Sequence, residues 1–227
     1  MKKEIELKYR LASKADFDHF FHFLEPMKSG RILVLRQRNI YFDTPSLSLK
    51  RNGISLRLRK QNNSYLMCAK QSLADKKSKN NLSVRLEYEE EINPSIAQLL
   101  EQQLLSPIDA FYHLLSPNPK DQETKLLLYG SMLKAAKSGL QIIGSFSNLR
   151  IILPVVIDED FITFEFDHVS YPQNQEIFEV EIEFSSEKEV RKYRETVEKL
   201  FRQAQVKTYK SCSKSSRLYK MVFGKKI

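Results

Sequence analysis

The sequence has few of the residues that most often mark a site. Its 227 residues include only 6 glycines, 2 cysteines and 4 histidines. It contains no Gly-x-Gly-x-x-Gly run and no Walker loop, which argues against a backbone cradle for phosphate. Cys68 and Cys212 are too few for a disulfide scaffold, belong to no Cys-x-x-Cys pair, and fit a reducing compartment. No His- or Cys-rich zinc spacing occurs. His19 and His22 fall beside phenylalanines on an expected helix, and His113 lies in a leucine-rich stretch. His168 follows Asp167 but points to the opposite face of its strand. None of the four is assigned a catalytic role. No apolar run approaches the ~20 residues needed to cross a bilayer, and Met1-Lys2-Lys3-Glu4 opens without an apolar signal core. The expectation is a cytoplasmic chain without membrane contact. Internal repeats and low-complexity segments are also missing.

What is present suffices for a core: 41% of residues are hydrophobic, and the length suits one domain with at most an elaborated insert. Lys plus Arg number 37 and Asp plus Glu 28, a net charge of +9, with a pI near 9.4. That balance points to an anionic partner, although net charge alone favours the reading of a merely basic soluble surface. The distribution is more informative. Basic residues lie inside strand-like segments, interleaved with carboxylates.

Residues 2–10 alternate with period two, Lys2, Glu4, Glu6, Lys8 and Arg10 on one face and Ile5, Leu7 and Tyr9 on the other. Ser13 caps an expected helix over 13–25, with Phe17, Phe20, Phe21 and Leu24 at helical spacing. An extended segment at 32–43 ends in Tyr41-Phe42-Asp43, and Thr44-Pro45 and Asn52-Gly53 turn the chain. Strands follow over 54–60, 65–70 and 82–92, the first two joined at Asn62-Asn63. Arg57 and Arg59 share one face, as do Arg85, Glu87, Glu89 and Glu91. Residues 71–81 read as a polar loop with solvated Lys76, Lys77 and Lys79. Residues 94–140 read as an insert of two or three short helices, broken at Ser106-Pro107 and Pro117-Asn118-Pro119. Three more strands are expected at 141–157, 161–171 and 176–184, turning at Asp158-Glu159-Asp160 and Pro172-Gln173-Asn174. Ser186 and Glu189 form a capping box for a helix to about 205. The apolar residues Leu218, Tyr219, Met221, Val222 and Phe223 give the tail a reason to dock. Docking would bring Lys214 to a barrel mouth; alone, Lys214 and Arg217 read as solvated tail charges.

A solvated strand face usually mixes in Ser, Thr, Gln and Asn. Here several faces are nearly pure Glu, Arg and Lys, and burying such ions unpaired costs several kcal/mol each. A closed antiparallel barrel resolves this by turning the charged faces into a wet lumen and the apolar faces outward under helices. The fold class expected is therefore α+β, an eight-stranded antiparallel β-barrel with helices packed on the outside. Glutamate pairs in such a lumen suit a hard divalent cation, and the surrounding Lys and Arg suit a polyanion, most naturally phosphates.

These residues also resemble a known family. Glu4-Ile5-Glu6-Leu7-Lys8 is similar to the Glu-x-Glu-x-Lys signature of the CYTH domain, the triphosphate tunnel metalloenzymes. Tyr41-Phe42-Asp43-Thr44-Pro45, Arg51 to Arg59, Lys70, Arg85-Leu86-Glu87-Tyr88-Glu89, Arg150, Asp167, Glu179-Val180-Glu181 and Ser213-Lys214-Ser215 follow in family order, nearly end to end. Ser46 stands where Asp is common, and Met67-Cys68-Ala69 where Thr-Leu is common. The resemblance is greatest to the bacterial inorganic triphosphatase group and implies one tunnel domain over 1–227 with Mg²⁺ or Mn²⁺ as cofactor. It implies metal ligation by Glu4, Glu6, Glu179 and Glu181, with Glu183 continuing the alternation. Phosphate contacts would come from Lys8, Arg57, Arg59, Lys70, Arg85, Arg150 and Lys214, with Glu87 positioning the basic residues. Catalytic roles fall to Glu4, Glu6, Lys8 and Asp167.

The activity expected is metal-dependent hydrolysis of a triphosphate-containing small molecule, with inorganic triphosphate leading. The alternatives are an adenylate cyclase or thiamine triphosphatase on the same scaffold, or a non-catalytic polyphosphate- or nucleotide-binding module. The four glutamates favour catalysis over the module. A nucleic-acid partner is not expected, because stacking aromatics are missing between the basic residues. A homodimer is left open. The cations of the empty lumen are expected to repel one another.

Overall fold

The computed structural model describes residues 3–73, 81–113, 122–157 and 159–224. The strands are β1 (Lys3–Leu11), β2 (Leu33–Asp43), β3 (Ile54–Gln61), β4 (Ser64–Ser72), β5 (Leu82–Ile92), β6 (Gln141–Ile157), β7 (Asp160–Tyr171), β8 (Gln175–Phe184) and β9 (Thr208–Lys210). They form one sheet in the order β5-β4-β3-β2-β6-β7-β8-β1-β9, and β5 also pairs with β1. That pairing closes eight antiparallel strands into a barrel, as the alternating charge required. Register sets the lumen: Glu4 lies opposite Arg85 and Lys8 opposite Glu181. A slip of one residue would turn these ions into the packed outer face, so the pattern specifies the pairing.

Helices cover the outward apolar faces. α1 (Lys14–Leu24) and α6 (Glu187–Gln203) lie over β1, β7 and β8. Ser13 caps α1 as expected, accepting from Asp16 N at 3.1 Å. Phe20 of α1 is fully buried and stacks on Phe201 of α6, with ring centroids 4.1 Å apart. Burying such a ring contributes about 1.5–3 kcal/mol. At the start of α6, Ser186 Oγ accepts from Glu189 N at 3.3 Å. The return bond of a capping box is displaced by one residue, since the Glu189 carboxylate accepts from Ser185 N at 2.9 Å and Ser185 Oγ at 2.7 Å.

The leucine-rich stretch supplies α3 (Pro94–Glu101), α4 (Pro107–His113) and α5 (Gln122–Ala135), packed on β3, β4 and β5. The expected break at Pro117–Pro119, the loop lysines 76, 77 and 79, and Asp158 lie outside the described residues.

Several elements were not expected, and two of them bear on the site. The first is α2 (Ser48–Arg51), a single turn built on Asp43. Asp43 is fully buried; its Oδ1 accepts from Thr44 N (2.7 Å) and Leu49 N (2.8 Å), and its Oδ2 from Lys50 N (3.0 Å). The hydroxyl of Tyr219 also donates to Oδ2 at 2.8 Å, tying the C-terminal segment to this turn. Hydrogen bonds to a charged group contribute about 1.5–3 kcal/mol each when their loss strands a partner. Asp43→Ala should therefore cost at least about 3 kcal/mol, a fall in melting temperature of roughly 6–12 °C for a chain of this size. Melting within about 2 °C of wild type would show that these bonds are replaced by water.

The second is β9, three residues too short for a pattern, which pairs with Tyr9–Leu11 along β1. It leads into α7 (Lys214–Phe223), capped by Ser213, whose side chain accepts from Ser216 N at 3.2 Å. Leu218 and Tyr219 of α7 are buried with Tyr41, Phe146, Val169 and Tyr171, so the helix closes one end of the barrel. Val222 and Phe223 stay exposed, so docking uses only part of the apolar tail.

Candidate active site

Inside the barrel lies a cavity of about 290 Å³. Twelve of the expected site residues line it: Glu4, Glu6, Lys8, Arg57, Arg59, Lys70, Arg85, Glu87, Arg150, Glu181, Glu183 and Lys214. The other two, Asp167 and Glu179, are fully buried and face cations of the cavity wall from behind. Strand alternation explains the convergence, since each strand gives every second side chain to the lumen. Lys214 enters from the first turn of α7.

The ions form linked groups. Arg150 donates to both oxygens of Asp167 (Nε to Oδ1 at 2.8 Å, Nη2 to Oδ2 at 2.6 Å) and to Glu181 at 2.8 Å, and its Nη1 touches Glu165. Lys214 reaches Asp167 at 2.7 Å and also pairs with Glu181; Lys8 bridges Glu181 at 2.8 Å and Glu6 at 3.0 Å. Across the lumen Lys70 joins Glu4 and Glu87, the latter at 2.9 Å. Arg59 and Arg57 lie 3.1 and 3.8 Å from Glu89. The Cys68 thiol donates to Glu89 at 2.9 Å, and burial pushes its pKa well up, so it serves as a neutral donor.

The expected repulsion among the cations is therefore largely cancelled: the wall carries seven carboxylates and seven cationic side chains. For Lys214, burial opposes the charge, but Asp167, Glu181 and Glu179 outweigh it and raise the pKa. Lys8 is raised in the same way, burial being outweighed by Glu181 and Glu6. Burial likewise opposes ionisation of Glu181, yet Lys214, Lys8 and Arg150 hold it well below the carboxylate range.

Several buried polar atoms lack a hydrogen bond. Arg57 Nε has no acceptor and Glu4 Oε2 no donor, while Arg57 Nη2, Glu6 Oε1 and Glu179 Oε2 have only ion-pair contacts, to Glu89 at 3.8 Å, Lys8 at 3.0 Å and Lys214 at 3.5 Å. Buried polar atoms are normally satisfied, so such orphans point to a bound group. The orphan guanidinium donors suit an anion; the orphan carboxylate oxygens are hard donors suited to Mg²⁺ or Mn²⁺. No group of three or more His, Cys, Asp or Glu side chains is arranged to hold a metal among the described residues. The donor chemistry thus fits a divalent cation that draws its remaining ligands from water and substrate oxygens, as Mg²⁺ commonly does. Glu179 is the least available, its Oε1 held by Arg217 and the Ser211 hydroxyl.

Some participants were missed from sequence. Arg217 is not a solvated tail charge but a buried partner of Glu179, one helical turn from Lys214. Glu165 shares the face of Asp167 two residues on, a signal the alternation carried. Asn148, which donates to Asp167 Oδ1 at 2.7 Å, and Gln37, Asn39 and Tyr41 are neutral and gave no charge signal.

Glu165 offers a test. Burial pushes its pKa up to about 8; Arg150 opposes, while Asp167, Glu183 and Glu181 add to the rise. The folded state then binds the proton over a range where the unfolded chain has lost it, so stability falls as pH rises from about 4.5 towards 8. Glu165→Gln should remove this loss, raising the melting temperature at pH 8 more than at pH 5. An equal change at both pH values would show that Glu165 is ionised throughout.

An antiparallel barrel of eight strands with ions of both signs facing its lumen defines a tunnel protein. The family model for the CYTH domain matches residues 2–219, and the chain belongs to that family. The fold agrees with solved structures. One is an adenylyl cyclase candidate from Hippeastrum, described as having a dominant triphosphatase activity (TM-score 0.71, 21% identity, 96% of each chain). Another is an adenylate cyclase candidate from Bacillus halodurans (TM-score 0.63, 22% identity, 96% of this chain and 98% of that one). A third is the PH1819 protein of Pyrococcus horikoshii (TM-score 0.56, 17% identity, 96% of this chain and 99% of that one). No curated protein matches the chain by sequence. Among the described residues no helix is long and apolar enough to cross a membrane.

Proposed function

We propose that this chain is a metal-dependent hydrolase of triphosphate compounds, with inorganic triphosphate the leading substrate, as in the bacterial inorganic triphosphatase group. The observation that carries this reading is the pairing of orphans in one cavity, a buried Arg57 Nε without an acceptor and a buried Glu4 Oε2 without a donor, beside a Glu6 Oε1 met only by the ion pair to Lys8. A polyanion and a divalent cation together would satisfy both. Charge balance argues the same way. The seven cationic side chains of the wall are opposed by seven carboxyl groups, of which Glu165 keeps its proton to about pH 8, so the net attraction for a polyanion is small and a cation bound at the glutamates would add to it.

In this reading Arg57, Arg59, Lys70 and Arg85 bind and orient the phosphates, with Lys8, Arg150 and Lys214 closing the other side. Fork-shaped guanidinium groups suit non-bridging oxygens, and ammonium groups act as point charges. Glu87 and Asp167 hold Lys70 and Arg150 in place. A divalent cation held by Glu4 and Glu6 would, when bound, supply charge neutralisation and a water of lowered pKa. Hydrolysis of a phosphoanhydride requires mainly this positioning and neutralisation.

The size and lining of the cavity favour inorganic triphosphate over a nucleotide. About 290 Å³ is the share of roughly ten waters. Tyr41 is the one aromatic residue lining it among the described residues, and its ring already stacks on Phe146 at 5.7 Å. No wall ring is left for a base or a thiazole. The test is phosphate release from triphosphate, ATP and thiamine triphosphate with Mg²⁺, Mn²⁺ or EDTA. The expected result is fastest release from triphosphate, abolished by EDTA. Release unaffected by EDTA, or pyrophosphate with cyclic nucleotide as the main product from ATP, would overturn the reading.

A further inference from the structure

Half of the large hydrophobic side chains left exposed among the described residues lie in the helical insert, six of twelve in about a fifth of the chain. Three of the six, Leu126, Leu127 and Leu133, are on α5 and stand about half exposed. A fourth, Tyr112 of α4, joins them by stacking on Tyr129 of α5, with ring centroids 4.4 Å apart. The opposite face of α5 is apolar too, Leu128 and Met132 being fully buried in the core under the insert. A helix that is apolar all round is normally covered on every side. Here one chain covers only half of it.

Gly130 lies on the same outward face, one helical turn from Leu126 and from Leu133. It needs no positive φ, and a Cβ placed on it would meet nothing within 4 Å. Packing within one chain therefore gives no reason for a glycine in the middle of α5, where it weakens the helix relative to alanine. A second helix crossing at this point does give one, because the side chains at the contact set how closely two helices approach. The charges name the second helix. Glu123 stands in the first turn of α5 and Lys134 in the last. They are eleven residues, three turns, apart and so fall on the same side of the leucine stripe. An interface on a two-fold axis requires a patch complementary to itself. Antiparallel pairing of two α5 helices meets that requirement: the register that sets Glu123 against Lys134 of a second copy also sets Leu127 against its Gly130.

We propose that the outward face of α5 pairs with the same face of a second copy of this chain, as two antiparallel helices about a two-fold axis. Leu127 of each copy fills the space over Gly130 of the other, Leu126 and Leu133 flank that contact, and a Glu123–Lys134 pair closes each end. The pairing is independent of the chemistry in the tunnel, since α5 packs on the outside of the barrel. A contact built on one helix about 21 Å long falls short of the roughly 800 Å² per partner of standard interfaces. The dimer is therefore reversible, with a Kd on the order of 10 µM.

The test is sedimentation equilibrium of the full chain over about 1–200 µM, a range that brackets the expected Kd. Wild type should pass from monomer to dimer and stop there. Gly130→Gln should weaken the Kd about tenfold or more, while the melting temperature of the dilute monomer stays the same or rises, since the substitution improves the helix. Glu123→Lys and Lys134→Glu should each weaken association about fivefold, and the two together should restore it to within about twofold of wild type. Leu126→Glu combined with Leu133→Glu should leave a monomer at every concentration. A wild-type chain that stays monomeric throughout, its α5 face open or reserved for a different protein, would overturn the proposal. So would a mass that keeps rising beyond the dimer, a Kd unmoved by Gly130→Gln, or a charge exchange that restores nothing.

Discussion

Lys214→Ala should unfold the protein at a markedly lower temperature as well as impair it. A lysine reaching a terminal phosphate from the tunnel mouth would matter for turnover and little for stability. The structure places Lys214 differently: its ammonium lies among Asp167, Glu179 and Glu181. Removing it leaves three buried carboxylates short of positive charge, and breaking such a buried cluster costs about 3–5 kcal/mol. For a chain of this size that is a fall of roughly 6–20 °C in melting temperature. The pH dependence separates charge from packing. Asp167, Glu179 and Glu181 have depressed pKa values, burial opposing but the neighbouring cations prevailing. Their contribution is present above the ordinary carboxylate range and is lost as pH falls through the folded values. The gap between wild type and variant should therefore be widest near neutral pH and shrink below about pH 4. Lys214→Met, which keeps the aliphatic stem, should behave like the alanine variant. A melting temperature unchanged in both would show that the three carboxylates share other compensation.

Glu6→Gln should give the largest catalytic loss of any single isosteric change. Glu6 is nearly inaccessible, its Oε1 meets Lys8 at 3.0 Å and Arg85 at 3.9 Å without a hydrogen bond, and Lys8 keeps Glu181 as a second partner. The substitution keeps the shape and removes one charge, so melting should move by only a few degrees. If Glu6 helps hold the divalent cation, triphosphate hydrolysis should fall by about 10²-fold or more. The concentration of Mg²⁺ or Mn²⁺ giving half-maximal rate should rise in parallel. A variant with a raised KM for triphosphate and an unchanged metal requirement would instead make Glu6 a positioning group for Lys8.

Much of this was legible because strands alternate. Glu4-x-Glu6-x-Lys8, Arg57-x-Arg59 and Glu179-x-Glu181 each put ions on one face, and many ions on several strands require a wet interior. Closure of the barrel follows from that requirement. The elements that were not legible are short or built from distant partners. The single turn α2 exists because Asp43 accepts three backbone N–H groups, and Asp43 is in turn met by Tyr219 from near the far end of the chain.

The sequence by itself determined which side chains face inward, since the period of two admits no other assignment once the apolar set is packed outside. It also determined the order of the markers that identify the family. Only the tertiary structure decided how those ions pair. Which carboxylate meets which cation depends on strand stagger across the lumen and on the entry of α7. Hence Lys214 and Arg217 became buried partners of Asp167, Glu179 and Glu181, and Glu165 became a carboxyl with a raised pKa. The physical reason is that alternation is a local property of one strand, whereas the field at a buried ion sums over every strand and helix around it.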